Sequence, residues 1–289
     1  MMTALQNNTG WQKQKKKFLL RVLLGILILL ILYGYFIEPS WLEVKQVSIT
    51  LKDLPTAFKG YRIVQVSDIH FGTAFSDSRL RKVVTEVNSQ QPDMVVLTGD
   101  FLSDKYESKS PAQTGAIKQL TEILQGIKAR NGIYAVWGNH DRFDRAEVQS
   151  NFSRVGIQIL CNESQNIEKN GEKIMLIGMD DAWRKPISPW PLLKDNKQGE
   201  CVIALVHRPD PAEYNSQFPI ALQISGHLHG GQINFPGARL IQSIYVRSKY
   251  REGLFNVGKM QLYVSRGIGM TGLPFRFGAR PEIICLTLN

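Results

Sequence analysis

The stretch that decides the fold is RIVQVSDIHFG, residues 62–72, in which a run of β-branched residues passes directly into polar side chains. The run at 62–66 predicts a buried strand, because Val and Ile favour the extended, pleated backbone. Asp68 and His70 follow at positions i and i+2, and in an extended chain such side chains point to the same side. Both side chains can therefore reach one metal ion.

Strands of the same kind recur along the chain and alternate with segments of helical spacing. The other predicted strands are residues 94–97, 133–136, 173–177, 202–206, 222–224, 261–264 and 283–288. Apolar residues at helical spacing predict helices at 78–89 and 113–129. This alternation indicates the α/β class. No long linker, repeat or low-complexity tract interrupts the sequence, which predicts one domain at residues 41–289.

All five histidines of the chain follow predicted strands, each beside Asp, Asn, Gly or another His. After the first strand, the strand ends present Asp100 in LTGD, Asn139, His140 and Asp141 in VWGNHD, His207 in CVIALVH, and His227 and His229 in ISGHLHGG. A single histidine is more often a packed or surface residue than a ligand. Five at strand ends favour one common site, because ligands bind at the carboxyl ends of strands in open α/β sheets.

The residue types at these strand ends point to metal chemistry. Imidazole, carboxylate and amide oxygen without thiolate favour Mn²⁺, Fe or Zn²⁺. The candidate ligands are too many for one tetrahedral ion and suit two, and two ions that share a carboxylate are a recurring solution for phosphoryl substrates. The sequence therefore predicts two divalent metal ions at one site.

Composition and charge exclude several classes of protein. The chain has 289 residues, of which 43% are hydrophobic and 21% charged, so it is not mostly disordered. Three cysteines cannot form a disulfide framework, and no C-x-x-C pair is present to suggest a zinc knuckle or a redox motif. The formal charge of +10 comes partly from basic residues at 13–21. Because clusters of basic and aromatic residues are lacking, we expect no nucleic-acid partner.

The segment FLLRVLLGILILLILYGYFI, residues 18–37, predicts a transmembrane anchor. Its one charge, Arg21, lies near the start and can snorkel to the interface. No small-x-small cleavage site follows, which favours an uncleaved anchor over a signal peptide. The basic segment 1–17 predicts a cytoplasmic N-terminus. We therefore expect a single-pass protein of the cytoplasmic membrane, with its catalytic domain on the extracytoplasmic side.

The ordered set D-x-H, GD, GNHD, H and GH-x-H between Tyr61 and Gln232 resembles the calcineurin-like metallophosphoesterase superfamily. The tail SRGIGMTGLPFRFGARPEI, residues 265–283, resembles that of its bacterial membrane-associated or exported phosphodiesterases. The resemblance implies a four-layer α/β/β/α sandwich of two mixed sheets.

The same resemblance implies the role of each strand-end residue. It implies that the first ion is held by Asp68, His70, Asp100 and His229, and the second by Asp100, Asn139, His207 and His227. It further implies that a metal-bridging hydroxide attacks phosphorus in line, while His140 acts as the general acid and protonates the leaving oxygen.

One departure from the family pattern concerns what orients His140. Related phosphatases carry GDxxDRG, whereas this chain has GDFLSDK, with Ser103 at the position of the second Asp and Asp104 one residue late. We expect Asp141 to take over that role. The missing signature argues against a protein Ser/Thr phosphatase. Gln232 and Arg266 are expected substrate contacts, because amide and guanidinium donors suit phosphate oxygens.

These expectations combine into a membrane-anchored hydrolase of a phosphodiester or pyrophosphate bond. The anchor favours an envelope or lipid-linked compound as the substrate. One alternative is a phosphomonoesterase, or a phosphodiesterase of nucleotides or nucleic acids, that uses the same site. Another is a membrane-tethered binding module without turnover, against which the complete set of ligands and the acid argues.

Overall fold

The computed structural model describes residues 2–72, 76–103, 110–142, 145–181, 186–194, 196, 199–235 and 248–289. Within this part of the chain the strands are Glu43–Ile49 (β1), Arg62–Val66 (β2), Met94–Leu97 (β3), Ile133–Ala135 (β4), Ile157–Ile159 (β5), Glu163–Lys169 (β6), Glu172–Met179 (β7), Val202–Val206 (β8), Leu222–Ser225 (β9), Gly253–Val257 (β10), Met260–Val264 (β11) and Glu282–Leu288 (β12). The α-helices are Met2–Leu32 (α1), Asp77–Ser89 (α2), Pro111–Leu124 (α3), Arg145–Arg154 (α4) and Ala212–Asn215 (α5).

The strands form two mixed six-stranded sheets. The first has the order β1-β12-β2-β3-β4-β5, and the second has the order β10-β11-β9-β8-β7-β6. Strands β2 to β5 run parallel in the first sheet, and β7, β8 and β9 run parallel in the second. The carboxyl ends of these parallel strands carry the polar segments from which the site is built.

Apolar side chains pack in three layers around the two sheets. Val96 and Ile203 lie between the sheets. Leu97 packs with Leu120 where helices α2 to α4 cover the outer face of the first sheet. The outer face of the second sheet is covered more thinly, by α5 and the short 3₁₀ turn Trp190–Leu193. The expected four-layer α/β/β/α sandwich is confirmed.

All eight predicted strands are present, three of them with the predicted bounds and the others shifted by one or two residues. The predicted helix at 113–129 is instead α3, which begins at Pro111 and ends at Leu124. Ser110 caps its start, where its side chain accepts a hydrogen bond from Gln113 N. Its end is fixed by Asn88, whose side chain donates to Gly126 O and accepts from Lys128 N, both at 2.8 Å.

Helix α1 continues through a π-helical turn, Tyr33–Ile37, and a 3₁₀ turn, Glu38–Ser40. We call residues 33–40 the anchor end. The span Trp11–Ser40 is long and apolar enough to cross a membrane, by length and composition. Its large apolar side chains are exposed, with Phe18 at 70% and Leu29 at 66%. Such a surface indicates that something other than water covers the helix.

Candidate metal centre

The candidate site lies where the two sheets meet at the carboxyl ends of their parallel strands. Each predicted ligand follows one of these strands: Asp68 and His70 follow β2, Asp100 follows β3, Asn139 follows β4, His207 follows β8, and His227 and His229 follow β9. The chain is therefore brought back to the same edge five times. The structure brings together all the side chains that the sequence singled out as ligands.

The ligand atoms fall into two groups, each with atoms within 4.8 Å of one another. The first half-site comprises Asp68, His70 and His229, and the second half-site comprises Asp100, His207 and His227. Asp100 lies between them, with its Oδ2 3.6 Å from His70 Nε2 and 3.2 Å from His207 Nε2. Asn139 joins the second half-site, with its Oδ1 3.2 Å from His207 Nε2.

Most of these ligand residues have a backbone conformation that L-residues rarely adopt. The φ angle is +53° at Asp68, +45° at His70, +57° at Asp100, +75° at His227 and +51° at His229. Residues other than glycine in this left-handed region cost on the order of 1–3 kcal/mol each, and they persist where surrounding contacts hold them. The strain is the consequence of turning each strand end sharply enough to bring its side chain inward.

Two motif glycines let the backbone approach the carboxylates closely. A Cβ on Gly226, the residue before His227, would collide with Asp68 Oδ2. A Cβ on Gly138 would collide with Asp100 Oδ1 and would lie 2.5 Å from Asp100 N. Neither position has room for any side chain.

The nitrogen atoms of the second half-site fit metal binding. His207 Nδ1 lies 2.7 Å from Thr98 O. Because a carbonyl oxygen only accepts hydrogen bonds, His207 Nδ1 carries a proton there, and Nε2 is the ring nitrogen that faces Asp100 and would bind an ion. In the part of the chain that the structure describes, His227 Nδ1 is buried and has no hydrogen-bond partner. A buried orphan nitrogen beside a carboxylate is the arrangement that a bound cation would satisfy.

Burial and mutual charge shift the pKa values in the site. Burial alone would raise the pKa of Asp100, but the neighbouring His207 holds it well below its usual range. Burial alone would lower the pKa of His207, but Asp100 raises it to about 10. Burial lowers the pKa of His227 and of His229, so both rings are neutral, which is the form that binds metal. Burial raises the pKa of Asp68 to about 6.

His140, the expected general acid, lies at the rim of the site and is half-buried. Its backbone N donates to Asp100 Oδ1 at 2.8 Å. Its ring centroid is 5.1 Å from that of His70. The imidazole is therefore placed beside the ligand atoms but with access to solvent, as a group that exchanges a proton with a substrate requires.

Asp141, the residue expected to orient His140, is buried and uses its carboxylate on the backbone instead. Its Oδ2 accepts from Asp100 N at 2.7 Å and from Gly138 N at 2.8 Å, and its Oδ1 accepts from Phe101 N at 2.8 Å. Burial raises its pKa to about 7. Among the described residues its carboxylate bonds only backbone amides, and it ties the loop after β3 to the loop after β4. Among the hydrogen bonds of the described residues none joins the Asp141 carboxylate to the His140 ring, so the orientation of His140 by Asp141 stays a prediction.

The two expected substrate contacts are held by partners within the protein. Gln232 donates to Thr271 O and Leu273 O and accepts from Thr271 N. Arg266 pairs with Glu43 at 2.6 Å and with Glu282 at 2.7 Å. Their part in substrate binding stays a prediction, and one that this geometry does not support.

Sequence reasoning missed Arg276, which is fully buried next to the first half-site. Its Nη2 lies 3.4 Å from His229 Nδ1, on the side of the ring opposite Asp68. Burial lowers the pKa of Arg276 to about 10, so the guanidinium stays charged at neutral pH. An arginine in a Phe-Arg-Phe segment gives little signal in one sequence, because surface solvation explains such residues equally well.

Comparison with known proteins gives a family match over most of the sandwich. The family model described as "Calcineurin-like phosphoesterase" matches residues 61–231. YkuE of Bacillus subtilis, described as an uncharacterized metallophosphoesterase, is 33% identical over 264 residues, covering 89% of this chain and 90% of that protein. The phosphodiesterase YaeI of Escherichia coli is 27% identical over 262 residues, covering 89% and 92%.

A relative from Danio rerio is described as a transmembrane protein with metallophosphoesterase domain. It is 31% identical over 281 residues. The match covers 91% of this chain but only 61% of the Danio rerio protein. By contrast, the matches to YkuE and YaeI cover about nine-tenths of this chain and about nine-tenths of each relative.

Proposed function

The chain belongs to the calcineurin-like phosphoesterase family and is a metal-dependent phosphoester hydrolase, and from that premise we propose that it hydrolyses a phosphodiester or pyrophosphate bond at a two-metal site. The observation that carries the proposal is the pair of half-sites, each with ligand atoms within 4.8 Å, on either side of one shared carboxylate. Two half-sites around Asp100 suit two ions better than one.

The proposed ligands follow from this division. One ion would be held by Asp68, His70, Asp100 and His229, and the other by Asp100, Asn139, His207 and His227. The mixture of imidazole, carboxylate and amide suits Mn²⁺, Fe or Zn²⁺. When bound, such ions supply Lewis acidity that neutralises the phosphoryl oxygens and activates water as the nucleophile.

The residues around the ions have separate tasks in this proposal. His140, at the rim, gives its proton to the leaving oxygen. The peptide N–H of the same residue bonds Asp100 Oδ1, which fixes the backbone that carries the acid relative to the shared ligand. Asp141 holds the two loops that carry Asp100 and Asn139, and so it acts on the geometry of the site rather than on the proton.

The helical span Trp11–Ser40 supports a membrane-anchored enzyme. We propose that residues 18–37 cross the cytoplasmic membrane once, with the basic segment 1–17 in the cytoplasm and the domain at 41–289 outside it. A relative named as a transmembrane protein supports the membrane association. An enzyme placed there meets envelope and lipid-linked phosphoesters, which we propose as its substrate class.

The test uses the full-length protein in detergent with Mn²⁺. We expect cleavage of bis-p-nitrophenyl phosphate to exceed cleavage of p-nitrophenyl phosphate and to stop when EDTA is added. His140→Ala should lower the rate by roughly 10²-fold or more while the metal content stays unchanged. A preference for the monoester would instead indicate a phosphomonoesterase. Activity that is indifferent to EDTA would contradict the two-metal proposal.

A further inference from the structure

We propose that the anchor end supports the metal centre, and that buried Arg276 is the positioning residue that connects the anchor end to the first half-site. The inference rests on the proposed function, because it assigns one of the two proposed ions to a site supported in this way. It concerns residues outside the motifs that define the family match, since both the anchor end and Arg276 lie beyond residues 61–231.

The first step is the contact between the anchor end and the segment that carries Arg276. Arg276 N donates to Gly34 O at 2.9 Å. Glu38, although a carboxylate, is only 1% exposed, and its Oε1 accepts from Ala279 N at 2.6 Å. Tyr33 packs edge-on against Phe277, with ring centroids 5.9 Å apart. The anchor end is therefore fixed to residues 276–279 by two hydrogen bonds and an aromatic contact.

The second step is the guanidinium of Arg276, which points away from the helix into the sandwich. It donates to Gly269 O, Arg266 O and Gly267 O, the last two at 3.0 and 3.2 Å. These carbonyls belong to residues 265–269, which follow β11 and which we call the support loop. A fully buried guanidinium needs such acceptors, and here one loop supplies most of them.

The third step joins the support loop to the ligands. Ile268 N donates to Ser67 O at 3.0 Å, and Gly269 N donates to Asp68 O at 2.7 Å. A Cβ on Gly267 would lie 2.6 Å from Asp68 Cβ, so the loop packs directly on that ligand. Arg276 itself reaches His229 Nδ1 at 3.4 Å. Asp68, a ligand of the first half-site, is thus held through Arg276, whose guanidinium also lies beside the His229 ring.

The second half-site is held mainly by other groups, although His227 N also donates to Asp68 Oδ1 at 3.0 Å. Thr98 O orients His207, and the Asp141 carboxylate holds the backbone at Asp100. Among the described residues, no contact of Arg276 reaches Asp100, His207 or His227. Displacing the anchor end should therefore weaken the binding of the ion in the first half-site more than the binding of the ion in the second.

The anchor offers a matched pair of glycines for the test. A Cβ on Gly34 would collide with the Phe275 ring and would lie 2.9 Å from Arg276 O, whereas a Cβ on Gly25 would meet nothing within 4 Å. Gly34→Leu and Gly25→Leu add the same side chain to the same helix. Full-length variants are stripped of metal in detergent and titrated with Mn²⁺, and bound ions are followed by electron paramagnetic resonance.

We expect the wild type and Gly25→Leu to bind two ions and to show the signal of a coupled Mn²⁺ pair. In Gly34→Leu one ion should bind about 10- to 100-fold more weakly, as is usual when a group that orients a ligand is lost. The coupled signal should then give way to that of an isolated ion at low Mn²⁺. Arg276→Met should do the same, and Arg276→Lys should recover part of the loss because it keeps one charged donor.

The outcomes separate this inference from the proposed function. Two ions bound to Gly34→Leu and Arg276→Met with wild-type affinity would overturn the inference. Loss of both ions together, in step with a lower unfolding temperature, would also overturn it and would indicate a merely structural contact. A wild-type protein that binds only one ion would contradict the proposed two-metal function itself.

Discussion

The two half-sites present similar ligands but are supported in different ways. The second half-site is held from within the sandwich by Thr98 and Asp141, which lie next to its ligands along the strand ends. The first half-site is held from outside the family match by the support loop and Arg276. Ligand types alone therefore do not define such a site. The groups that orient the ligands can come from parts of the chain that are distant in sequence.

The largest expected effect breaks both half-sites at once. Asp100→Asn removes the shared carboxylate and leaves a neutral amide between His70 and His207. Both ions should bind more weakly, and hydrolysis should fall by about 10³-fold or more, because the ions supply several kcal/mol of charge stabilisation. Metal content by mass spectrometry and the rate with the diester check it. Retention of one tightly bound ion would show that Asp100 serves only one half-site.

A smaller effect sharpens the comparison from the side of the second half-site. Asp141→Asn replaces one of two acceptor oxygens by a donor that faces a backbone N–H. We expect a loss of about 1–3 kcal/mol in the free energy of unfolding. The ion in the second half-site should bind about 10-fold more weakly. Denaturant unfolding and Mn²⁺ titration measure the two effects.

The matched control for this change is Asp93→Asn. Asp93 is also buried and accepts from Arg62 N at 2.9 Å and from Arg130 at 3.0 Å, but it precedes β3 and lies at the opposite edge of the sheet from the site. We expect Asp93→Asn to lower the free energy of unfolding and to leave the affinity for Mn²⁺ unchanged. Equal loss of metal in both variants would mean that Asp141 acts through general stability alone.

The smallest effect concerns the ion pairs of the support loop. Burial would raise the pKa of Glu43, but the hydrogen bond and charge of Arg266 lower it. The pair therefore stabilises the fold above the ordinary pKa of a glutamate, and this contribution is lost as the pH falls through the lowered pKa. Glu43→Gln should cost less than about 1 kcal/mol at pH 7, because the pair is partly exposed.

The measurement for Glu43→Gln is its unfolding temperature against that of the wild type from pH 7 to pH 3. The difference should shrink as the pH falls. Metal affinity should stay unchanged, because Glu282 still pairs with Arg266 at 2.7 Å. A weaker first ion would show that the charges on the support loop, and not only its backbone, hold Asp68.

The sequence was sufficient for the central strands and for the side chains that the structure brings together at the candidate site. Buried strands such as β2 and β8 are short apolar runs, and the residues after them are recognisable metal-binding types. The strands that sequence reasoning missed are β1, β5, β6 and β10. Strand β6, ESQNIEK, is a largely exposed edge strand, so it carries no apolar run. Strand β5 has only three residues.

The support of the first half-site could not be predicted because it depends on contacts between distant residues. Glu38 and Ala279 are 241 residues apart, and nothing local marks either as a partner of the other. The same holds for Arg266, whose three acidic neighbours come from β1, β12 and the segment before β10. The residue type of Arg266 indicated a phosphate contact, whereas in the fold these acidic neighbours neutralise its charge.

The short connection between the helix and the sandwich determines where the enzyme can search for substrate. Strand β1 begins at Glu43, directly after the turn Glu38–Ser40, and the anchor end is itself hydrogen-bonded to residues 276–279. The connection between the turn and β1 is therefore too short to act as a flexible linker. When the helix spans a membrane as proposed, the site is held at one height and one tilt above the bilayer. Encounters with substrate then become a two-dimensional search, in which molecules that share the membrane have a large advantage in effective concentration over those in bulk solution.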